Sequence, residues 1–104
     1  MAIAHRRIFQ AKIGMAEALI QHFQEAGESM KGFGVEWETR ILTDYHSGRS
    51  DRVAIEWVVE SIEEIERELG RIMEIPEAGA FFGEWMTKLN TLVLHSDAEN
   101  WRIV

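Results

Sequence analysis

The sequence predicts an α+β fold in which four antiparallel strands form one sheet with helices on a single face. Segments with alternating apolar and polar residues, typical of strands, are separated by segments in which apolar residues recur every three or four positions, typical of helices. Their order is strand, helix, strand, strand, helix, strand. The chain has 104 residues, of which 46% are hydrophobic and one is proline, so we expect a single domain over residues 1–104.

The first predicted strand covers residues 2–11, where Ile3, Ile8 and Phe9 supply β-branched and aromatic side chains. Residues 12–14 form a turn, and the next apolar residues share one stripe of a helix that ends near Gly32 and Gly34. The stripe consists of Met15, Leu19, Phe23, Ala26 and Met30.

Residues 35–44 and 51–60 alternate strictly and form a predicted hairpin around the loop 45–50. Two registers keep the apolar side chains on one face. One places Glu38 opposite Glu56, and the other places Arg40 opposite Glu56 and Trp57 opposite Thr39. Like charges directly across a ladder repel each other, so the second register is preferred.

A second helix begins at a capping box, in which the Ser61 side chain accepts from the Glu64 amide and Glu64 reaches back. Pro76 has no amide hydrogen to donate, so the helix is expected to stop or kink there, and a further helical piece follows. Residues 95–100 are predicted as a loop and residues 101–104 as the last strand. This order of elements defines a ferredoxin-like βαββαβ fold, in which the first strand lies in the middle of the sheet.

Three neighbouring residues of this central strand can carry a positive charge. Alternation places His5 and Arg7 on one face of the strand and Arg6 on the other. Arg6 and Arg102 are expected among the hairpin carboxylates, on a charged face that is either solvated or paired with a second sheet. If the helices cover their face, His5 and Arg7 would be paired with an acid, exposed at the strand end, or lining a pocket for a polar or anionic ligand, and if the faces are reversed Arg6 takes that role.

The composition excludes several classes of function. A formal charge of −7 repels phosphate backbones and anionic lipids, which argues against nucleic acid and membrane partners. The chain has no cysteine and therefore no thiolate chemistry. No apolar stretch approaches the ~20 residues that span a bilayer, so a cytoplasmic protein is expected.

Two segments, RRIFQAKIGMAEALIQHF and VAIEWVVESIEEIE, resemble the strand-turn-helix opening and the capped helix of the dimeric α+β barrel superfamily. This group includes NIPSNAP-like proteins and antibiotic-biosynthesis monooxygenases. Ile13 stands where those families often have the proline of a Lys-Pro-Gly turn. The resemblance implies a homodimer, a dimeric α/β barrel with paired sheets, and a cavity between sheet and helices in each subunit.

Candidate site residues follow from these predicted faces. A flat apolar or aromatic ligand would lie against the tryptophans and be oriented by His5, Arg7 or Tyr45. The candidate bases are His5 and His22. No histidine has a metal-ligand spacing, and neither a metal nor a cofactor is predicted. The candidate ligand-binding residues are His5, Arg7, Trp37, Trp57 and Trp85.

Two functions of different classes remain. The first is a dimeric module that binds a small ligand or a protein partner, and it is favoured because no base, nucleophile or metal set can be assembled from the sequence. The second is a cofactor-independent monooxygenase or isomerase that acts on a small aromatic or polyketide-like compound.

Overall fold

A computed structural model describes residues 1–104 as a four-stranded antiparallel sheet with three helices on one face. The strand order is β2-β3-β1-β4, so the predicted ferredoxin-like arrangement and the central place of the first strand are confirmed. No helix is both long and apolar enough to span a bilayer. The elements are β1 (Ile3–Ala11), α1 (Ala16–Gly32), β2 (Glu38–Thr43), β3 (Arg52–Val59), α2 (Ile62–Met73), α3 (Pro76–Leu92) and β4 (Val93–Arg102).

The core lies between the helices and one face of the sheet. Alternate residues of β1 and β3 point to this face and meet the apolar stripes of α1 and α3. A second cluster joins the end of α1 to α2 and α3 through Met30, Val35, Ile72 and Ala78. The larger cluster contains Phe9, Ala11, Leu19, Phe23, Val53, Ile55, Leu89 and Leu92.

The hairpin has the preferred register. Arg40 lies opposite Glu56, and Thr39 lies opposite Trp57. Strand β2 is shorter than the alternation predicted, because Val35 turns back to the helix, where its amide donates to the Met30 carbonyl (3.0 Å). Trp37 also precedes the strand and packs against the second cluster.

The last strand is much longer than predicted, and the prediction of a loop at 95–100 is wrong. Strand β4 begins at Val93, immediately after α3, and pairs with β1 along the whole of that strand. It is an edge strand whose residues are almost all exposed, so it needs no apolar alternation. Backbone pairing with β1 orders it instead.

The boundaries of α2 and α3 agree with the predicted signals. Ser61 Oγ accepts from the Glu64 amide (3.2 Å), which confirms the N-cap. The Glu64 carboxylate reaches one residue further back than in a regular capping box and accepts from the Glu60 amide (2.8 Å). Helix α2 ends at Met73, and Pro76 is the first residue of α3. Proline is favourable there because the amides of the first helical turn have no partner within the helix.

The outer face of the sheet, which is the side away from the helices, carries a buried carboxylate between two arginines. Glu56 is only 4% exposed. It accepts hydrogen bonds from Arg6 (2.7 Å) and from Arg40 (2.8 Å). These three residues form the Arg6–Glu56–Arg40 cluster, which links the side chains of β1, β3 and β2 in one row across the sheet.

The arginines determine the ionisation of Glu56. Burial opposes the charged form, but hydrogen bonds from Arg40 and Arg6, together with their positive charges, outweigh it and lower the pKa of Glu56. Arg102 was expected on this face and lies on the other, because it pairs with Ile3, whose side chain points to the helix side. Trp101 takes the outer position and is 57% exposed.

Replacing Glu56 by Gln is expected to lower the free energy of unfolding by about 1 to 3 kcal/mol at pH 7, because charge-assisted hydrogen bonds are lost. The pKa of Glu56 is lower in the folded chain than its ordinary value of 4.5. Its ionised form therefore stabilises fully above pH 4.5, and this contribution disappears as the pH falls through the folded pKa. The difference in the free energy of unfolding between wild type and E56Q should therefore become smaller as the pH falls.

Urea unfolding at pH 7 and at pH 3 measures this difference. Glu66→Gln is the control, because Glu66 is exposed on α2 and forms no salt bridge. A gap between wild type and E56Q that is the same at both pH values would contradict the assignment of a stabilising, ionised Glu56.

Candidate functional site

A cavity of about 1500 Å³ lies between the helices and the sheet and is partly open to solvent. Every strand and every helix contributes to its lining. Most of the lining side chains are apolar, and three of the four tryptophans are among them. Its aromatic residues are Phe9, Phe23, Trp37, Trp57, Phe82 and Trp85.

Trp37 and Trp57 form one aromatic wall of the cavity. Their ring centroids are 5.0 Å apart. The Trp37 indole donates to the Glu64 carboxylate (3.1 Å), which also caps α2. The hydrogen bond from the Glu60 amide is the main cause that lowers the pKa of Glu64, and Trp37 adds to it. An ionised carboxylate thus fixes the Trp37 ring at the cavity wall.

In the helix layer, on the other side of the cavity from the sheet, His22 on α1 holds Trp85 on α3 in place. The two rings stack with centroids 4.4 Å apart and planes 7° apart. Trp85 Nε1 donates to the His22 carbonyl (2.8 Å), and His22 Nε2 contacts the Trp85 carbonyl at the same distance. This reciprocal pair joins α1 to α3 and orients the indole that lines the cavity.

His22 itself does not line the cavity. Its side chain is 2% exposed, and a carbonyl oxygen can only accept, so Nε2 carries the proton. Nδ1 is left buried with no hydrogen-bond partner, 3.9 Å from the Glu25 carboxylate. The helix packing that buries His22 therefore separates this candidate base from any ligand in the cavity.

His5 and Tyr45 also lie outside the lining. His5 faces the helix side, one of the two orientations left open by the sequence, and its Nδ1 hydrogen-bonds to Asn100 Oδ1 (2.7 Å) near the strand end. Its ring is 5.8 Å from that of Trp57, behind the cavity wall. Tyr45 is 84% exposed in the hairpin loop, where its ring lies edge-on to that of His46.

Arg7 is the predicted polar residue that does line the cavity. Its guanidinium carbon lies 5.6 Å from the centroid of the Phe9 ring. One terminal nitrogen donates to Ser96 Oγ (3.2 Å). The structure therefore brings Arg7 together with Trp37, Trp57 and Trp85 around one space.

Nine further polar residues of the lining were missed from the sequence: Gln24, Glu28, Lys31, Glu38, Thr39, Arg40, Asn90, His95 and Ser96. The last three come from the end of α3 and the start of β4, the region predicted in part as a loop. In the sequence, Asn90, His95 and Ser96 lie within or just after the apolar stripe of the last helix. This short separation indicates that they lie at the edge of the surface that the helix covers.

The arrangement suits the binding of a molecule with an apolar body. Aromatic and aliphatic side chains form most of the surface, and a few polar groups on β1, α3 and β4 can set the orientation. No three histidine, aspartate or glutamate side chains lie close enough to share a metal ion.

Comparison with solved structures shows where else this fold occurs. A NIPSNAP family protein from Agrobacterium tumefaciens superposes with a TM-score of 0.75 at 14% identity, covering 100% of this chain and 94% of that one. A protein from Chloroflexus aurantiacus, provisionally described as an antibiotic biosynthesis monooxygenase, gives 0.68 at 18% identity, with coverage of 100% and 94%.

A third similar structure is a dimeric protein of unknown function with a ferredoxin-like fold from Bacteroides fragilis. Its TM-score is 0.63 at 11% identity, and the coverage is 98% of this chain and 96% of that one. No family model matches the sequence, and no curated protein has significant sequence similarity to it. These likenesses show a common fold, the one that the sequence resemblance implied.

Proposed function

We propose that the protein is a homodimeric module that binds a small, flat, apolar ligand in the cavity between its sheet and helices. The observation that carries this proposal is the cavity wall, where Trp37, Trp57 and Trp85 line one space. Trp37 and Trp85 are held in place by hydrogen bonds at their polar tips. Ordered aromatic walls lose little entropy when a ligand binds, so they favour binding.

The cavity is larger than the ~300–1,000 Å³ of typical ligand sites, so a small molecule would occupy part of it. Gly27 offers a direct way to test occupancy. It lies on the cavity side of α1, one turn after Phe23, and an added Cβ would meet nothing within 4 Å. Its replacement in a helix interior improves helix propensity by ~1 kcal/mol, so the fold should tolerate a larger residue.

Replacing Gly27 by Leu should weaken binding of the neutral probe N-phenyl-1-naphthylamine by about tenfold or more, because the new side chain takes up ligand space. The measurement is the rise in probe fluorescence on titration with protein. Gly70→Leu is the matched control, since Gly70 lies in α2, away from the cavity, with equally open surroundings. Equal binding by G27L and wild type would place the probe elsewhere, and no binding by wild type would contradict the proposed function.

The outer face of the sheet supports the proposal of a homodimer. No helix of the chain covers it, yet it carries exposed Leu42 and Trp101 next to the Arg6–Glu56–Arg40 cluster. Arg6 also lies 3.7 Å from Glu99. Such a face, with apolar surface and charges of both signs, can pair with a second copy of itself across a twofold axis. The similar Bacteroides fragilis protein is described as dimeric.

Replacing Leu42 by Arg should raise the dimer dissociation constant by about tenfold or more, because an unpaired charge would be buried between the sheets. Light scattering coupled to size exclusion, over a range of concentrations, measures the state. Ile13→Arg is the control, since Ile13 is 92% exposed in the turn after β1. A monomeric wild type would contradict the dimer, and a dimeric L42R would move the interface to another surface.

Cofactor-independent oxygenation is a second candidate, favoured by the likeness to the Chloroflexus aurantiacus protein. A catalytic base must reach the bound molecule, and His95 is the one histidine of the lining, at its edge, where it is exposed and lies opposite Gln10 of the outer face. Oxygen uptake with hydroxylated polycyclic aromatics should then be lost in His95→Gln and kept in His5→Gln. Uptake that is absent in the wild type, or equal in both variants, would count against this candidate.

A further inference from the structure

We propose that the ligand of this cavity is an acid, an apolar ring system with a carboxylate at one end that binds to Arg7 beside Ser96. The inference rests on the proposed binding function and specifies its ligand class. It starts from the place of Arg7, which is the one arginine that both lines the cavity and has no carboxylate partner.

Four of the eight arginines form salt bridges with carboxylates, and Arg7, Arg49, Arg67 and Arg102 do not. Two of the paired arginines share Glu56, and the other two pair with Asp44 and Glu68 at 2.8 Å. The Arg7 side chain is exposed, and the chain has eighteen acidic residues against eleven basic ones, so a carboxylate partner would be easy to place. Arg7, on the central strand, has no salt bridge. The paired residues are Arg6, Arg40, Arg52 and Arg71.

The sheet register keeps carboxylates away from Arg7. Its neighbours across the two ladders are Ile55 on β3 and Ala98 on β4. Along β1 the next residues on the same face are His5 and Phe9. The position therefore places a permanent cation beside neutral groups, at the wall of a largely apolar cavity.

The guanidinium has most of its hydrogen-bonding capacity free. It has five N–H donors, and its one hydrogen bond to protein goes to Ser96 Oγ at 3.2 Å. A planar fork of donors matches a carboxylate in a bidentate contact, and such contacts are stronger than neutral hydrogen bonds. The Phe9 ring below the guanidinium limits its movement, since Arg7 lies 5.6 Å from the ring centroid.

The rest of the cavity fits the apolar body of such a ligand. Ile55 lies directly opposite Arg7, and Trp57 is the next residue on the same face of β3. Two glutamates belong to the lining: Glu28 on α1, and Glu38 on β2, whose side chain points to the outer face because it lies opposite Val58, and β3 separates β2 from β1. The anionic end therefore belongs at Arg7 and the rings belong along β3, toward the tryptophans.

The test compares two ligands of almost the same shape, 2-naphthoate and the neutral 2-naphthamide, by calorimetry and by quenching of tryptophan fluorescence. Wild type should bind the acid about tenfold more tightly than the amide, which corresponds to one charge-assisted contact. Arg7→Gln should lose this preference, and Arg7→Lys should retain part of it, because lysine keeps the charge and loses the bidentate geometry.

Arg102→Gln is the matched control, because Arg102 lies on the same side of the sheet but outside the cavity, and the change in net charge is identical. It should retain the preference for the acid. Lys31 is the other cavity-lining cation without a salt bridge. A preference that survives in R7Q and disappears in Lys31→Gln would overturn the assignment to Arg7.

The remaining outcomes distinguish a failure of this inference from a failure of the proposed binding function. If naphthoate and naphthamide bind wild type equally, the acid class is wrong while the apolar binding site stands. The same conclusion holds if neither binds but N-phenyl-1-naphthylamine does. If none of the three compounds binds, the proposed binding function fails together with the inference.

Discussion

Strand β1 is hydrogen-bonded along both of its edges, and this constraint determines where its three consecutive basic residues lie. A strand in the middle of a sheet cannot turn a side chain sideways, so each residue must point to one face or the other. Arg6 goes to the outer face and meets Glu56, while His5 and Arg7 go to the helix side. The charged face and the cavity both follow from this division.

On the outer face, the constraint produces a carboxylate that is buried without a covering layer. Neighbouring arginines, rather than a second layer of the fold, shield Glu56 from water. Because burying the carboxylate is costly without such partners, any shift in the pairing of β2 or β1 with β3 would leave it uncompensated. The cluster thus penalises wrong registers and leaves a largely neutralised patch on the outer face of the sheet.

On the helix side, polar contacts serve to hold apolar surface in place. Glu64 fixes the Trp37 ring, and the His22 backbone and ring fix that of Trp85. The Trp37 and Trp85 rings are therefore positioned by Glu64 and His22, two residues that do not line the cavity. This explains why a histidine that looked like a catalytic candidate has a structural contact: the burial that orients Trp85 removes His22 from the ligand space.

The sequence by itself determined the order of the elements, the hairpin register and the cap at Ser61, because these depend on local periodicity and on which charges face each other across one hairpin. It also determined that Arg6 and Arg7 point to opposite faces. The tertiary structure alone decided the extent of β4, because backbone pairing with β1 orders an edge strand that has no apolar pattern. It likewise decided that Arg7 lines the cavity and His5 does not, since alternation selects a face but not a position under the helices.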